Sequence, residues 1–468
     1  MKWSFFAEFA AKAITPIVFI VLARLLTPED FGVMTAAIMV VGFSQIFWEA
    51  GMGKALIQRQ TDESAAANVT FWVNLLLGCV ISSALYFSSD VIASLLFQDE
   101  RVGIVLQLMT IHVMLGALSS VPTALLQKRM GFKKLFWVRL LTVSIPGFAS
   151  IPLAWLGFGY WALVAGALVG QGIQSIMLWS MCKWAPSCRF EIDVALEMAK
   201  FGAWVCTSSL LAWFYLWADA LVIGQYLGTH DLGLYRVGNQ FSTLFFTIAF
   251  GPILPVLYSY LSKIAHDRDR IRSYVQVLIR IISLIAVPAA AVIFVFSSQI
   301  EVQIFGVEWQ GVGLVIGVLA LTHGFSWIAG MNGDIYRAIG KPSYEAIVTA
   351  GTLVVYMAVY IWTARIGFEV FVWGRLCLAV GALLLHLWVL WRVLKVPVYP
   401  TLAYAAALFF IALGVSALVE WWVVSHVSHG WMQLIVGGGV SALLLFGGLA
   451  VYERRRSVED MLVLLKSR

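Results

Sequence analysis

The sequence predicts an all-α integral membrane protein of about fourteen transmembrane helices, built as two parallel six-helix repeats followed by two extra C-terminal helices. Three observations carry that expectation. The 468 residues are 61% hydrophobic and only 12% charged, and the apolar residues fall in continuous runs of about 20. That length crosses a bilayer as a helix and is twice that of a barrel strand. The loops between the runs alternate sharply in Lys and Arg content. Short motifs recur in the same order about 200 residues apart.

Apolar runs bounded by charged or turn-rich breaks lie near 3–26, 32–56, 65–88, 103–126, 136–157, 160–182, 201–226, 233–261, 275–297, 312–338, 345–364, 370–393, 401–424 and 432–452. The first opens at Trp3 and is long enough to span, so it is expected to stay as a helix and not to be cleaved as a signal peptide. Segments 90–102 and 297–311 mix Phe, Ile and Leu with acids and read as short interfacial helices. No connection exceeds about 20 residues, which leaves no room for a soluble domain. The expected organisation is an N-terminal six-helix lobe over 1–200, a second over 201–395, two added helices over 396–456, and an amphipathic cytoplasmic tail over 457–468.

The duplication is visible in three echoes. Leu26-Thr-Pro-Glu-Asp-Phe-Gly32 is answered by Leu227-Gly-Thr-His-Asp-Leu-Gly233 at an offset of 201, which also pairs Trp3 with Trp204. Phe97-Gln-Asp-Glu-Arg-Val-Gly103 is answered by Phe305-Gly-Val-Glu-Trp-Gln-Gly311 at 208, and Gln127-Lys-Arg-Met-Gly131 by Tyr336-Arg-Ala-Ile-Gly340 at 209. A slow drift of offset is what a few loop insertions would leave. The first echo joins the first and second helices of each copy. Its copies differ at Pro28-Glu29 against Thr229-His230.

Charge sets the orientation. One set of loops carries Lys54, Arg59, Lys128, Arg129, Lys133, Lys134, Lys183, Arg189, Lys200, Lys263, Arg268, Arg270, Arg272, Arg337, Lys341, Arg392 and Lys395, and the tail adds Arg454 to Arg456. The other set has little more than Arg24, Arg101, Arg236 and Arg365. By the positive-inside rule both termini are cytoplasmic. An even number of spans between the starts of the copies makes them parallel repeats. The net charge of +6 resides in these short loops, so it does not point to nucleic acid.

Ionisable groups within spans cost roughly 2.5–3.5 kcal/mol each on insertion scales and normally face a cavity or a partner. Here they are Glu8 and Lys12 in the first helix, Glu49, Asp219, Asp334 and Glu420. Lys12 is the deepest cation and the leading candidate for a functional one, the competing reading being a purely structural ion pair with Glu8 one turn away. Arg139 and Arg280, a few residues inside their helices, read as snorkelling to the interface. His112, His323 and His386 read as packed side chains. Prolines at Pro16, Pro122, Pro146, Pro152, Pro288 and in Gly251-Pro-Ile-Leu-Pro255 mark places where a helix is kinked. The five cysteines show no metal spacing, and His426-Val-Ser-His429 offers two ligands only. Asp267-Arg-Asp269 imitates the acidic pair of a sugar transferase but stands in a charged loop with no α/β domain around it. No P-loop, nucleophile elbow or zinc motif is present, so no cofactor, metal or covalent catalysis is expected.

Leu22-Ala-Arg-Leu-Leu-Thr-Pro-Glu-Asp-Phe-Gly32, with Gly51-Met-Gly-Lys-Ala-Leu-Ile-Gln-Arg59 and Leu232-Gly-Leu-Tyr-Arg236, resembles the Wzx-type polysaccharide flippases, most closely the branch typified by WzxC and TuaB in the multidrug/oligosaccharidyl-lipid/polysaccharide exporter superfamily. The resemblance implies two lobes forming a V around a cavity open to alternate faces of a bacterial inner membrane, with the first echo, 26–32 and 227–233, as its paired hinges. Helices 13 and 14 would offer a groove for a polyprenyl tail. It implies an undecaprenyl-diphosphate-linked oligosaccharide as substrate, membrane lipids as surroundings, and the glycan polymerase of the same pathway as a partner. Mapped by position, it assigns Lys12, Arg24 and Arg236 to the diphosphate or acidic sugars and Asn239 and Gln240 to sugar contacts. Glu49 and Asp219 become candidates for coupling to a proton or sodium gradient. A cation-coupled MATE-type drug exporter and a lipid II flippase are the alternatives. The latter is weakened by the lack of a dense arginine cluster on helices 1 and 2.

Overall fold

The computed structural model describes residues 15–251, 254–264 and 267–465. Among them the regular structure is helical throughout, with no strand. The elements are α1 Thr15–Leu25, then α2 Pro28–Glu49, α3 Met52–Gln58, α4 Glu63–Ile92, α5 Glu100–Lys128, α6 Phe132–Trp155, α7 Tyr160–Met181 and α8 Ile192–Tyr226. They continue with α9 Thr229–Phe250, α10 Leu254–Lys263, α11 Arg268–Val295, α12 Ser297–Ile300, α13 Val312–Ala329 and α14 Asn332–Ala338. The chain closes with α15 Pro342–Ala364, α16 Phe368–Leu394, α17 Val398–His426 and α18 Gly430–Leu465. Among the described residues twelve helical segments are long and apolar enough to cross a membrane. The other two expected spans correspond to α1, whose preceding residues lie outside the described part, and to α9 with α10.

Two expected spans are broken within the described residues, and a third is described in two parts. The run 32–56 stops at Glu49 because Ala50 and Gly51 both take the left-handed conformation, with φ of 45° and 66°. The run 233–261 is described as α9, ending at Phe250, and α10, opening at Leu254, with 252 and 253 outside the described residues. The run 312–338 is divided at Gly330-Met331 into α13 and α14. Apolarity is blind to such breaks, since the residues on either side remain membrane-compatible.

The chain divides into two compact units, Met1–Arg236 and Val237–Arg468. The division falls later than the repeat boundary expected at 200/201, because α8 packs on α2 and α3 of the first unit. In that unit α5 lies against α2, α4 and α7, and α6 runs beside α7. In the second, α11 packs on α13 and α17, and α13 on α16, around a core that includes Phe246, Phe250, Ile282 and Leu390. Large apolar side chains such as Phe87 (83% exposed), Phe148 (78%) and Trp155 (80%) point outward, which suits hydrocarbon and would be costly in water.

The echoes share local structure. Phe97 and Phe305 each end a π-helical turn, Ala93–Phe97 and Glu301–Phe305, and both rings are buried. The third echo closes both copies with a Schellman-type turn, displaced by one residue. Gly131 N donates to Leu126 O and Met130 N to Gln127 O, while Lys341 N donates to Tyr336 O and Gly340 N to Arg337 O. The left-handed position is thus Met130 in one copy and Gly340 in the other.

Candidate functional site

The first echo builds a reciprocal contact inside the first unit. Thr27 caps α2 in a capping box with Asp30, whose carboxylate also accepts from Tyr160 N at 2.8 Å and so fixes the start of α7. Gly32 abuts the backbone carbonyl of Thr229, and Gly233 abuts that of Pro28. The seventh position of each motif therefore meets the third position of the other, in both directions. A Cβ at either glycine would overlap a carbonyl oxygen, so only glycine allows the two helix starts to close. Between them Glu29 Oε1 lies 2.7 Å from His230 Nδ1. The difference between the motif copies is thus a complementary one, an acid facing an imidazole. Thr229 Oγ1 donates to Asp99 Oδ2 at 2.7 Å, and Arg101 pairs with the same carboxylate at 2.8 Å. Burial works against ionisation of Asp99, but the hydrogen bonds from Arg101 and Thr229 outweigh it and hold the carboxyl below its ordinary value.

At the far end of α2, about 30 Å away at 1.5 Å per residue, Glu49 lies between two cavities. One, of about 350 Å³, is enclosed by α2, α3, α5 and α7 and is lined by Gln45, Lys54, His112, Gln171 and Gln174. The other, of about 300 Å³, lies between α2 and α8 and shares Gln45, Glu49 and Lys54 while adding Cys206, Ser209 and Trp213. The helix break makes this possible. Gly51 and Ala50 meet Gly202 backbone to backbone, and the turn brings Lys54 back toward the carboxylate that ends α2. The indole N–H groups of Trp48 and Trp213 are buried beside these cavities with no hydrogen-bond acceptor among the described residues. The arrangement offers a carboxylate, an ammonium and several amides inside an apolar bundle, a setting able to hold a cation or exchange a proton.

Of the other expected site residues, Lys12 lies outside the described part. Arg24 is exposed near the end of α1. Arg236 stacks over the Trp217 ring with its guanidinium carbon 4.2 Å from the centroid. Asp219 is buried and accepts from Tyr235 Oη at 2.7 Å, so α8 and α9 bring Asp219 and Arg236 into one neighbourhood, remote from Glu49. In the second unit Asn239 Oδ1 lies 3.0 Å from His323 Nε2, which is also 2.9 Å from Thr243 Oγ1. Gln240 is exposed. Several of the other intramembrane charges have partners. Glu420 accepts from Gln299 at 2.7 Å, Asp334 pairs with Arg337 at 2.8 Å, and Arg280 and Arg375 lie over tyrosine rings. Asp267 is the N-cap of α11, a local role for the first acid of the Asp267/Asp269 pair. Among the described residues no cluster of three His, Cys, Asp or Glu could hold a metal.

Sequence reasoning had not singled out Gln45, Gln171 or Gln174. A signal was present, since glutamines recurring on apolar helices need a polar setting.

Sequences described as polysaccharide biosynthesis protein match residues 21–313 as a family. The chain is 25% identical to the succinoglycan biosynthesis transport protein ExoT of Rhizobium meliloti (strain 1021), covering 94% of this chain and 90% of that one. It is 23% identical to the teichuronic acid biosynthesis protein TuaB of Bacillus subtilis (strain 168), covering 90% and 89%. To the lipopolysaccharide biosynthesis protein WzxC of Escherichia coli (strain K12) it is 22% identical over 73% of this chain and 67% of that one. Among solved structures the lipid II flippase MurJ superposes with a TM-score of 0.76 at 14% identity over 97% and 99% of the two chains. An inward-facing MATE transporter gives 0.56 at 16% identity over 80% and 93%. The MurJ and MATE likenesses show the fold; the match across 21–313 and the length of the ExoT and TuaB alignments show the lineage. The chain belongs to the polysaccharide biosynthesis protein family, in agreement with the Wzx-type resemblance carried by its helix-closing motifs.

Proposed function

We propose that this protein is a flippase that moves undecaprenyl-diphosphate-linked oligosaccharide units from the cytoplasmic to the periplasmic leaflet of a bacterial inner membrane, by alternating access, for exopolysaccharide, O-antigen or capsule synthesis. The observation that carries the reading is alignment over nearly the whole length with a protein named as a succinoglycan transport protein. Physical chemistry supports it. A diphosphate faces a prohibitive cost in hydrocarbon, whereas a polar path with a few cations removes most of that cost and lets the lipid tail stay in the membrane. No covalent step is required, and the protein acts as a transporter without a cofactor of its own.

In this reading Lys12, Arg24 and Arg236 attract the diphosphate and Asn239 and Gln240 meet the sugar. Glu49, between its two cavities, exchanges the coupling cation, and Asp219 is the second coupling candidate. The lobes 1–200 and 201–395 rock against each other with helices 396–456 alongside, and both termini are cytoplasmic. A glycan polymerase receives the product. The test is a deletion strain with no redundant flippase. Lipid-linked oligosaccharide should accumulate in the cytoplasmic leaflet and surface glycan should vanish; normal surface glycan would overturn the proposal. Export of cationic dyes by reconstituted vesicles, with no flipping, would instead favour the MATE-type reading.

A further inference from the structure

Basic residues near the start of α6 are mostly committed to the fold. Lys128 Nζ donates to Leu56 O at 3.1 Å and to the carbonyl of Arg59, Arg129 pairs with Glu63 at 2.6 Å, and Lys134 Nζ donates to Met181 O at 2.7 Å. Each satisfies a helix end or a carboxylate. Arg139 differs. It lies about 10 Å along α6 from Phe132, at 1.5 Å per residue, and among the described residues it has no hydrogen bond, ion pair or ring contact. Its side chain lines a cavity of about 630 Å³ among α5, α6 and α7, together with the amides of Gln127 and Gln174. Those amides have no hydrogen-bond partner among the described residues either. The rest of the wall is largely apolar, from residues such as Phe132, Leu135 and Phe136. The cavity adjoins the smaller one beside Glu49, sharing Gln127 and Gln174 with it.

Arg139 is an exposed residue of α6 that borders this cavity, and a guanidinium at membrane depth without a carboxylate is costly unless water or an anion meets it. The two neighbouring amides add N–H donors and the apolar wall suits hydrocarbon. The cavity also sits at the end of the bundle that carries the basic loops, where anionic lipid headgroups are drawn into pockets between helices. Free inorganic anions fit this wall poorly, because its apolar portion would stay unfilled. We propose that the Arg139 cavity is a binding site for the phosphate headgroup of an anionic membrane lipid, with the adjoining methylenes laid along Phe132, Leu135 and Phe136. The phosphate can come from a glycerophospholipid or from an isoprenoid diphosphate. Only the second source rests on the flippase reading, where it would make the cavity a waiting site for substrate.

The full-length protein in detergent, titrated with lipid and followed by native mass spectrometry, tests this directly. The probes are phosphatidylglycerol, undecaprenyl diphosphate and, as a zwitterionic reference, phosphatidylcholine. Wild type should bind at least one anionic probe about ten-fold more tightly than phosphatidylcholine. Arg139→Gln should remove that preference, Arg139→Lys should keep part of it, and Lys133→Gln should leave it unchanged. Gln174→Leu, which leaves the charge intact, should weaken binding about three-fold and serves if Arg139→Gln is not recovered folded. Preference for phosphatidylglycerol alone identifies a phospholipid site, and preference for undecaprenyl diphosphate identifies a substrate site. Equal binding of all three probes by wild type, or wild-type preference retained by Arg139→Gln, would overturn the proposal. Because the readout is binding and not transport, failure of the flippase reading leaves it standing.

Discussion

Glu49 is the residue on which a coupling role is most easily tested. It ends α2 where two cavities meet, with Lys54 and Gln45 beside it. Glu49→Gln keeps the shape and removes the charge change, so transport should fall at least ten-fold and lose its pH dependence while the protein still inserts. An unchanged pH profile in reconstituted vesicles would assign Glu49 to structure. Asp99 is the counterpart for stability. Its carboxyl is held below the ordinary value by Arg101 and Thr229. The stabilisation is therefore complete above the unfolded carboxylate pKa of about 3.9 and lost as pH falls through the lower folded value. Asp99→Ala removes both the α5 cap and these bonds and should cost about 1–3 kcal/mol near neutral pH, read as a lower unfolding temperature. That deficit should shrink in strong acid. Arg236 is legible as a candidate from sequence, but its stacking on Trp217 is not, since the two approach only when α9 folds back on α8.

Among elements, the paired helix starts of α2 and α9 are the most sterically demanding contact described. Gly32→Ala places a methyl on the Thr229 carbonyl and should destabilise by about 1–3 kcal/mol, as overpacking does. Gly172→Ala in α7, where nothing lies within 4 Å, should be neutral or stabilising by up to about 1 kcal/mol. Similar thermal stability for both variants would contradict the close approach. The Glu29–His230 pair is half-exposed and contributes about 0–1 kcal/mol, so its value lies in reporting proximity. Cysteines at 29 and 230, in a background lacking the native five, should cross-link readily. If the hinges must part during transport, the link should abolish flipping and reduction should restore it. The motif, its duplication and its place between helices were readable from residue order. That the copies meet each other, glycine to backbone in both directions, was not, because no local periodicity encodes which distant helix start will be the neighbour.

For the whole molecule, the alternation of basic loops predicts a definite orientation. Cys188, exposed in the loop between α7 and α8, should be protected from a membrane-impermeant maleimide in intact cells, whereas a cysteine introduced for Phe158 should react. The reverse pattern would invert the topology. Residue chemistry alone determined the membrane class, the placement of apolar helices and the family, because a bilayer admits only apolar helices or closed barrels, runs of about 20 select helices, and charge is confined to their ends. Those constraints act residue by residue and leave their mark in order and composition. Only tertiary structure decided where spans break, which charges are paired, and which polar groups gather. Glu49 acquires two cavities through a left-handed turn packed on Gly202. Arg139, expected to snorkel, is exposed and also borders a cavity with two amides. Such settings depend on side chains far apart in the chain and on the close approach of specific backbones, and neither is encoded in the hydropathy of any single segment.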